Sequence, residues 1–340
     1  NVLPGQGTYY APDFRTPKGL VPGSPGEYVT EAVVNKSIEW LKKNRDKKKP
    51  FMLMVQHKAP HRFWLPPVHL LDEYTSKVYP EPENLFDDYK GRGTPAQTQD
   101  MTLKVTMDLA LDNKMVPFRQ DRMNETQRKQ WNKVYDRIRA KVLRKRPQGD
   151  DLVRWKYQRY MADYLACIRS LDDSVGTMLD YLDKSGLAKN TVVIYASDQG
   201  FFLGEHGWFD KRFMYEESFK TPLLVRWPGV AKPGTVNKQM VSNLDFAQTF
   251  LDLAGIALPE DMQGKSLKPL LEGKEPKDWR DSVYYHYYCF PEYHAVRRHD
   301  GVRNSRYKLM HFYDINEWEL FDLEKDPKDC LLYTSDAADE

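Results

Sequence analysis

A long helical pattern that runs almost directly into a short apolar strand restricts the fold more than any other feature of this chain. Between residues 155 and 184, apolar side chains recur every three or four positions, which is typical of an amphipathic helix, and Gly186 follows as its end. Residues 191–196 then begin with a β-branched apolar run, which predicts a buried strand. A helix and a strand in this order favour an α/β fold, in which helices flank a mostly parallel sheet.

Other parts of the chain repeat this alternation of helix and strand. A helical pattern starts at Tyr28, and the apolar run at residues 51–55 predicts a second buried parallel strand. Residues 222–227 predict a further strand, and residues 246–253 predict a short helix. We therefore predict an α/β domain over residues 1–275.

The composition changes after Pro276, where the helical patterns stop. Apolar runs separated by polar turns predict short strands without helices between them, at residues 283–288, 302–312 and 319–323. Strands that follow one another in this way usually pair antiparallel, so residues 276–329 are predicted to form a smaller α+β unit with an antiparallel sheet. We interpret residues 330–340 as an artefactual tail that takes no part in the fold.

Composition and charge exclude several classes of protein. The chain has 340 residues, of which 41% are hydrophobic, and this is enough for a packed core rather than disorder. Its net charge of +2 gives no reason to expect nucleic acid or an anionic membrane as a partner. Its three cysteines lack C-x-x-C spacing, so neither a disulfide framework nor a zinc site is predicted. No window approaches the ~18 apolar residues of a membrane span.

Polar side chains follow the strand at residues 191–196, at the end where open α/β sheets bind their ligands. Asp198 and Gln199 offer a charged and a neutral oxygen, and such ligands suit Ca²⁺ or Mg²⁺ rather than zinc. The same short sequence is also ordinary turn chemistry, so a purely structural role is the alternative. The loop beyond carries two further candidate groups, His206 and Lys211.

A second polar group follows the apolar run at residues 51–55, where Lys58 and His61 lie close together in the sequence. An isolated lysine or histidine in a loop is usually only hydrated, but two such clusters at strand ends favour an anion-binding site. Cations beside a divalent metal would neutralise the oxygens of a sulfate or phosphate ester and would supply an acid for the leaving alkoxide. The adjacent Asp172 and Asp173 of the long helix are predicted to face solvent rather than a metal.

The most specific pattern is the run ASDQGFFLGEHGWFDK at residues 196–211, which resembles the type I, formylglycine-dependent sulfatases of the alkaline-phosphatase-like superfamily. The sequence HKAPH at residues 57–61 is similar to a second motif of that family. Shorter similarities lie further along the chain, at residues 221–223, 263–267 and 319–323. The resemblance extends to Asp329 and implies the alkaline-phosphatase-like fold.

This resemblance implies a role for each polar residue of the two motifs. Asp198 and Gln199 would bind Ca²⁺ in preference to Mg²⁺, and Lys211 would hold the sulfate group. His61 would contact the sulfate ester and its leaving oxygen. His206 would either take part in catalysis or shape the loop around it.

Three parts of the family pattern do not occur in this sequence. The formylglycine nucleophile arises from the Cys or Ser of a C/S-x-P-S-R sequence. Cys289 is followed by Phe-Pro but then by Glu-Tyr, and it lies too late in the chain. The Asp-Asp metal pair that the family carries near its N-terminus and the G-K-x-H-type motif are also absent. We therefore interpret the chain as a sulfatase without its N-terminal third and expect little or no turnover from it alone. The intact parent is expected in the periplasm, outside the cell or in lysosomes.

Residues 284–303 are similar to family members that act on 6-O-sulfated N-acetylglucosamine in glycosaminoglycans. Cationic donors in this stretch suit a polyanionic sugar, although solvated loop residues would look the same in the sequence. The predicted substrate-binding residues are Lys58, His294, Arg297, Arg298 and His299.

From these features we predict a sulfuric ester hydrolase that removes sulfate from a carbohydrate, with the sulfated sugar as its partner. Formylglycine and Ca²⁺ would be its cofactors. Two alternatives stay open at this point. One is a phosphodiesterase or phosphonate monoester hydrolase of the same superfamily, and the other is a non-catalytic protein that binds sulfated glycans.

Overall fold

The computed structural model of the protein describes residues 2–3, 7–117 and 119–329. The chain divides into two compact units. Unit 1 consists of Asn1–Glu81 and Leu103–Leu187, and unit 2 consists of Pro82–Thr102 and Ala188–Glu340. Each unit is therefore built from two separate stretches of chain, whereas the predicted boundary at residue 275 stays a prediction. The predicted tail at residues 330–340 lies outside the described residues.

Helices are prominent in unit 1, and short strands are prominent in unit 2. The α-helices are α1 (Val29–Glu39), α2 (Leu71–Ser76), α3 (Thr94–Thr98), α4 (Glu125–Lys145), α5 (Gly149–Lys184), α6 (Glu216–Phe219), α7 (Asp245–Leu253) and α8 (Lys268–Leu271). The strands are β1 (Val2–Leu3), β2 (Asp13–Thr16), β3 (Gly19–Val21), β4 (Val193–Ala196), β5 (Phe202–Leu203), β6 (Phe209–Asp210), β7 (Leu223–Arg226), β8 (Ser282–Tyr287), β9 (His299–Asn304), β10 (Tyr307–Phe312) and β11 (Glu317–Asp322). Within the described ranges, none of these helices combines the length and the apolar character needed to cross a membrane.

The core of unit 1 forms around α5, the predicted long helix. Its buried apolar side chains recur at helical spacing, among them Tyr157, Tyr160, Tyr164, Cys167 and Leu171. The helices α1 and α2 pack against it, and the fully buried Trp64 places its ring centre 4.6 Å from that of Tyr160. The prediction of this helix is confirmed, and so is the exposure of Asp172 and Asp173.

A buried ionic network ties α4 and α5 together. The Asp163 carboxylate of α5, with its side chain 1% exposed, lies 2.7 Å from the Lys114 ammonium and 2.7 Å from the Arg159 guanidinium. The Tyr135 hydroxyl of α4 donates to the same carboxylate at 2.8 Å. Since an unpaired charge is costly to bury, this packing is stable only with all the partners in place.

The predicted strand at residues 51–55 does not form. The structure assigns these residues to neither helix nor strand, and their burial alternates, with Met52 59% exposed and Met54 61% exposed. A strand needs a neighbour that bonds to its backbone N–H and C=O groups. Among the described residues, no strand pairs with this segment. The continuous apolar run predicted a buried strand, but it could not supply a pairing partner.

The two predicted core strands of unit 2 are both present, but they pair antiparallel. In the sheet of β4 and β7, Val193 lies opposite Arg226 and Ala196 lies opposite Leu223. Every strand pair in the part of the chain that the structure describes is antiparallel. The described residues therefore do not form a mostly parallel sheet. The reason is that the spacing of apolar residues predicts which face of a strand is buried, but it does not predict which strand pairs with it or in which direction.

The strands β8 to β11 form a four-stranded antiparallel sheet in the order β11-β10-β9-β8. This confirms the predicted antiparallel sheet. The run at residues 302–312 is two strands rather than one, because the chain turns after Asn304. The Asn304 side chain accepts hydrogen bonds from the backbone N–H groups of Arg306 and Tyr307, at 2.9 and 2.6 Å. The buried residues packed together in this part of unit 2 include Met310, Phe312, Phe321, Trp208 and Phe213.

A buried carboxylate in β11 is expected to make the protein less stable as the pH rises. Glu319 is 1% exposed, and burial raises its pKa to about 7, although the Tyr215 hydroxyl, the Arg92 charge and the Gly93 backbone N–H oppose this rise. The ordinary pKa of 4.5 applies to the unfolded chain, so the folded state binds more protons between pH 4.5 and about 7. The free energy of unfolding therefore falls across that range.

Replacing Glu319 with glutamine removes this proton linkage. We expect the free energy of unfolding of the variant to equal that of the wild type at pH 4.5. At pH 8 we expect it to be higher than that of the wild type by up to about 3 kcal/mol. Urea unfolding at the two pH values measures the difference. A stability difference that did not change with pH would contradict the prediction.

Candidate active site

The most specific motif of the sequence forms a tight hairpin in unit 2. The strands β5 and β6 pair antiparallel, with Phe202 opposite Asp210, and the chain reverses through a 3₁₀ turn at Glu205–Gly207. Gly204 and Gly207 have φ angles of 103° and 68°, left-handed values that glycine adopts at little cost. The aromatic side chains of the hairpin are fully buried at Phe202, Trp208 and Phe209.

His206 lies inside unit 2. The residue is 0% exposed, and its Nδ1 lies 2.9 Å from an Asp87 carboxylate oxygen and 3.1 Å from Nη2 of Arg92. The Tyr89 hydroxyl donates to the His206 backbone carbonyl at 2.7 Å. Burial lowers the pKa of His206, which favours the neutral ring. Of the two roles predicted for His206, this geometry favours the one of shaping the loop.

Asp210 holds the two cations that follow it in the chain. Its Oδ1 lies 3.4 Å from the Lys211 ammonium and 2.8 Å from the Arg212 guanidinium. Its Oδ2 lies 2.9 Å from Nε2 of His294. Burial would raise the pKa of Asp210, but this hydrogen bond and the neighbouring cations hold it well below its usual value. Asp210 is therefore ionised, and it restrains both cations.

His294 lies behind Asp210 rather than at the surface. The residue is 5% exposed, and its Nδ1 lies 2.9 Å from the Asp100 backbone carbonyl, while its Nε2 faces Asp210. Both ring nitrogens therefore lie within hydrogen-bonding distance of oxygen atoms, so the ring is held from both sides. The structure departs here from the predicted contact with substrate, because the ring is buried and holds Asp210 in place.

The other predicted substrate-binding residues of unit 2 divide between surface and core. The Arg298 side chain is 40% exposed and donates to the Tyr288 backbone carbonyl at 2.9 Å. The Arg297 guanidinium lies 4.3 Å from the centre of the Phe290 ring. His299 is 0% exposed, and burial lowers its pKa to about 4, so it is a neutral core residue. His299 therefore offers no cationic donor to a sugar, while the roles of Arg297 and Arg298 stay predictions.

The two predicted metal ligands follow β4. Asp198 is exposed, and the Asn243 side-chain amide donates to its backbone carbonyl at 2.8 Å. A Cβ atom at Gly200 would lie 2.1 Å from the Glu217 carbonyl oxygen, so only glycine fits at the base of this turn.

The donor chemistry of this turn can be compared with the needs of a calcium ion. Ca²⁺ takes roughly six to eight oxygen ligands. Asp198 and Gln199 offer oxygens of the right kind, but the described residues contain no group of three or more His, Cys, Asp or Glu that could hold a metal. The donor chemistry of this turn fits Ca²⁺, but within the described ranges Asp198 and Gln199 could supply only part of a calcium ligand set.

In unit 1, the second motif surrounds His61. Its Nδ1 lies 2.6 Å from the Arg62 backbone carbonyl, so Nδ1 carries the hydrogen and Nε2 is the basic nitrogen. The backbone N–H of His61 donates to the Lys58 carbonyl at 2.9 Å, and the Tyr9 hydroxyl donates to the His61 carbonyl at 2.7 Å. Lys58 is 8% exposed, with its ammonium 4.9 Å from the centre of the Tyr9 ring. These contacts orient the segment and define the tautomer of His61.

Sequence reasoning missed the residues that support the two buried histidines. Asp87 and Arg92 lie 119 and 114 positions from His206, and Asp100 lies 194 positions from His294. No motif marks these residues, and none belongs to a helical or strand pattern in the sequence. Only the folded chain brings them to the hairpin.

Two family models match the chain. The model described as Sulfatase matches residues 2–256. The model described as N-sulphoglucosamine sulphohydrolase, C-terminal, matches residues 204–339. The first match covers most of the chain and contains the segments of His61, Asp198 and Lys211.

Curated relatives are longer than this chain. The chain is 45% identical over 350 residues to an N-acetylglucosamine-6-O-sulfatase of Bacteroides thetaiotaomicron, with 97% of this chain and 62% of that protein covered. It is 30% identical over 306 residues to an arylsulfatase of Clostridium perfringens, with 88% of this chain and 52% of that protein covered. The chain thus spans 62% and 52% of the lengths of these two relatives.

A solved structure shares the fold of this chain. It is a protein in complex with its substrate, D-glucosamine-2-N,6-O-disulfate, and it aligns with a TM-score of 0.95 and 44% identity. The alignment covers 98% of this chain and 70% of that one, which confirms the predicted alkaline-phosphatase-like sulfatase fold. This likeness and the family match over most of the sequence show that the chain belongs to the sulfatase family.

Proposed function

We propose that the protein containing this chain hydrolyses the 6-O-sulfate ester of a glucosamine residue in a carbohydrate. The observation that carries this proposal is the 45% identity, over 97% of the chain, to an N-acetylglucosamine-6-O-sulfatase. A solved structure at 44% identity holds a 6-O-sulfated glucosamine as its substrate. The cations of the two motifs suit such a substrate, because sulfate transfer needs its oxygens neutralised and its leaving oxygen protonated.

Lys211 is proposed to bind the sulfate group. Its side chain is 17% exposed, and its ammonium lies 3.4 Å from Asp210. Asp210 also contacts His294 and Arg212, so Lys211 is not the only group that its carboxylate holds. A charge held in place before the substrate arrives stabilises the transition state without reorganisation.

His61 is proposed to protonate the oxygen that leaves with the sugar. The bond between sulfur and that oxygen breaks, and an alkoxide leaves slowly unless it gains a proton. Because Nδ1 of His61 donates to the Arg62 carbonyl, Nε2 is the nitrogen that would give the proton. The ring would carry a hydrogen on both nitrogens before the transfer, and it would become neutral as the alkoxide becomes a hydroxyl. Lys58, on the same segment, adds a second positive charge that would attract the sulfate.

Asp198 and Gln199 are proposed as two oxygen ligands of a divalent cation, Ca²⁺ in preference to Mg²⁺. When bound, this cation would neutralise the sulfate group, and a formylglycine residue of the full-length protein would supply the nucleophile. The exposed carboxylate of Asp198 at the end of β4 supports the proposal, because an ion can reach it.

The proposal is tested by assaying the full-length protein on monosaccharides that differ only in the position of the sulfate. We expect sulfate release from N-acetylglucosamine-6-O-sulfate, and release at least about tenfold slower from the 3-O-sulfate, because a displaced ester leaves polar groups of the site unpaired. Chelation should lower the rate, and added Ca²⁺ should restore it. Hydrolysis of phosphodiesters without sulfate release would favour the phosphodiesterase alternative. Binding of the sulfated sugar without release would favour the non-catalytic alternative.

A further inference from the structure

Unit 1 contains a cavity of about 440 Å³ next to the His61 segment. Its walls include Tyr9, Phe63, Lys58 and Arg62. Pockets that hold small ligands measure roughly 300–1,000 Å³. The cavity therefore has room for a charged group of a sugar together with part of its ring.

Positive charge dominates the walls of this cavity. The charged side chains that line it are four cations and one carboxylate: Lys58, Arg62, Arg119, Arg122 and Asp121. The carboxylates that pair with two of these cations, Asp112 and Asp13, are not part of the lining. An anion that entered the cavity would therefore meet mainly hydrogen-bond donors.

Arg62 presents an oriented guanidinium to the cavity. Its Nε and Nη2 donate to the two carboxylate oxygens of Asp112, at 2.7 and 2.6 Å, and the Asp112 side chain is 0% exposed. The guanidinium carbon lies 4.9 Å from the centre of the Phe63 ring. Since these contacts already hold its plane, Arg62 would lose little freedom on binding an anion.

Arg122 and Arg119 form another part of the wall. Asp13 holds Arg122 through two hydrogen bonds of 2.9 Å, which raise the pKa of Arg122 and lower that of Asp13. Arg119 is exposed and has a φ angle of 50°, a left-handed value that side-chain-bearing residues rarely adopt. Backbone strain of this kind is concentrated at functional sites.

The cavity shares residues with the segment proposed to act on the leaving oxygen. Lys58 lines the cavity and belongs to the HKAPH motif. Tyr9 also lines it, and the Tyr9 hydroxyl donates to the His61 carbonyl at 2.7 Å. A sugar whose leaving oxygen lies at His61 could therefore place another of its groups in the cavity.

We propose that this cavity binds a second anionic group of the sulfated sugar, with Arg62 and Arg119 as the binding residues. The inference rests on the function proposed above. Guanidinium groups match the paired oxygens of sulfates and carboxylates alike. The second group is an N-sulfate on the same glucosamine or a carboxylate on a neighbouring uronic acid.

The test compares the full-length protein with its Arg119→Gln variant on substrates with and without a second anionic group. We expect the variant to raise the KM for D-glucosamine-2-N,6-O-disulfate about 10- to 100-fold, the range for one lost charged hydrogen-bond partner. The KM for N-acetylglucosamine-6-O-sulfate and the kcat for both substrates should not change. Arg119→Lys keeps the charge and should recover part of the affinity.

A third substrate distinguishes the two sources of the second anion. A disaccharide of uronic acid and N-acetylglucosamine-6-O-sulfate has a carboxylate but no N-sulfate. If its KM rises in the Arg119→Gln variant while that of the disulfate does not, the cavity binds the carboxylate. If only the KM of the disulfate rises, the cavity binds the N-sulfate. Either result supports the proposal.

A matched control is available on α4. Arg128→Gln removes the same charge from an exposed position that is not part of the cavity lining, and it should leave every KM unchanged. Thermal unfolding of each variant checks that the fold is kept. If Arg119→Gln raises the KM of all substrates equally, or of none, the second binding site is overturned, while sulfate release still supports the proposed function.

If no substrate is hydrolysed, the proposed function fails, and calorimetric titration with the disulfate and with the disaccharide still tests whether the cavity binds a second anion. Equal affinities of wild type and Arg119→Gln for both sugars would then overturn the proposed cavity site. An affinity about tenfold weaker in the variant would support it.

Discussion

Replacing Lys211 with alanine is expected to lower the kcat for 6-O-sulfate hydrolysis about 100- to 1,000-fold, the usual cost of removing one pre-positioned charged donor from a transition state. The Lys211 ammonium lies 3.4 Å from Asp210, so its charge is in place before the substrate binds. Arg212, 2.8 Å from the same carboxylate, keeps Asp210 paired in the variant, and the hairpin should therefore fold normally. Sulfate release from N-acetylglucosamine-6-O-sulfate by the full-length protein measures kcat.

Two further variants make this prediction specific to position and charge. Lys211→Arg keeps a positive charge with a different shape and should show an intermediate kcat. Lys232→Ala removes an exposed lysine elsewhere in unit 2 and should leave kcat unchanged. If Lys211→Ala retained the kcat of the wild type, Lys211 would not bind the sulfate in the transition state.

Replacing His61 with alanine is expected to lower kcat on a sugar sulfate about 100- to 10,000-fold, as for the loss of a general acid. The loss should be much smaller for 4-nitrophenyl sulfate, because a nitrophenolate leaves without prior protonation. The geometry is compatible with this role, since Nδ1 of His61 lies 2.6 Å from the Arg62 carbonyl and Nε2 is therefore the nitrogen that would exchange the proton. The ratio of the two rates, measured for wild type and variant, separates proton donation from a general loss of activity.

The control for His61 is His69→Ala, an exposed histidine of unit 1 that should affect neither substrate. Equal losses on the sugar sulfate and on the aryl sulfate would show that His61 acts on the sulfate group and not on the leaving oxygen. The experiment thus tests whether His61 is needed for hydrolysis, and whether it acts on the leaving oxygen or on the sulfate group.

Local patterns predicted those elements whose cause lies within a few residues. The helical period of residues 155–184 predicted α5, and apolar runs predicted β4 and β7. The segment at residues 51–55 has the same apolar character but forms no strand in the structure. The difference lies in hydrogen-bonding partners, which come from other parts of the chain and leave no trace in the strand's own sequence.

The candidate site shows the same division between local and distant causes. The motif at residues 196–211 indicated candidate residues for the chemistry, and their roles stay predictions. It did not predict that His206 is buried against Asp87, or that His294 holds Asp210 from behind. The protonation of a side chain also depends on its surroundings in the folded chain. Burial lowers the pKa of His299 to about 4, so His299 is not one of the cationic donors that could bind a sugar.

The amino-acid sequence alone determines the family, the long helix α5 and the residues of the two motifs, because these depend on side-chain identity and on short periodic spacing. Only the folded chain decides which strands pair, which histidines are buried and which carboxylates are ionised. These properties depend on desolvation and on contacts such as that between Asp100 and His294, 194 positions apart. The energy of such a contact depends on two residues that are far apart in the sequence, so a pattern within a few neighbouring residues cannot predict it.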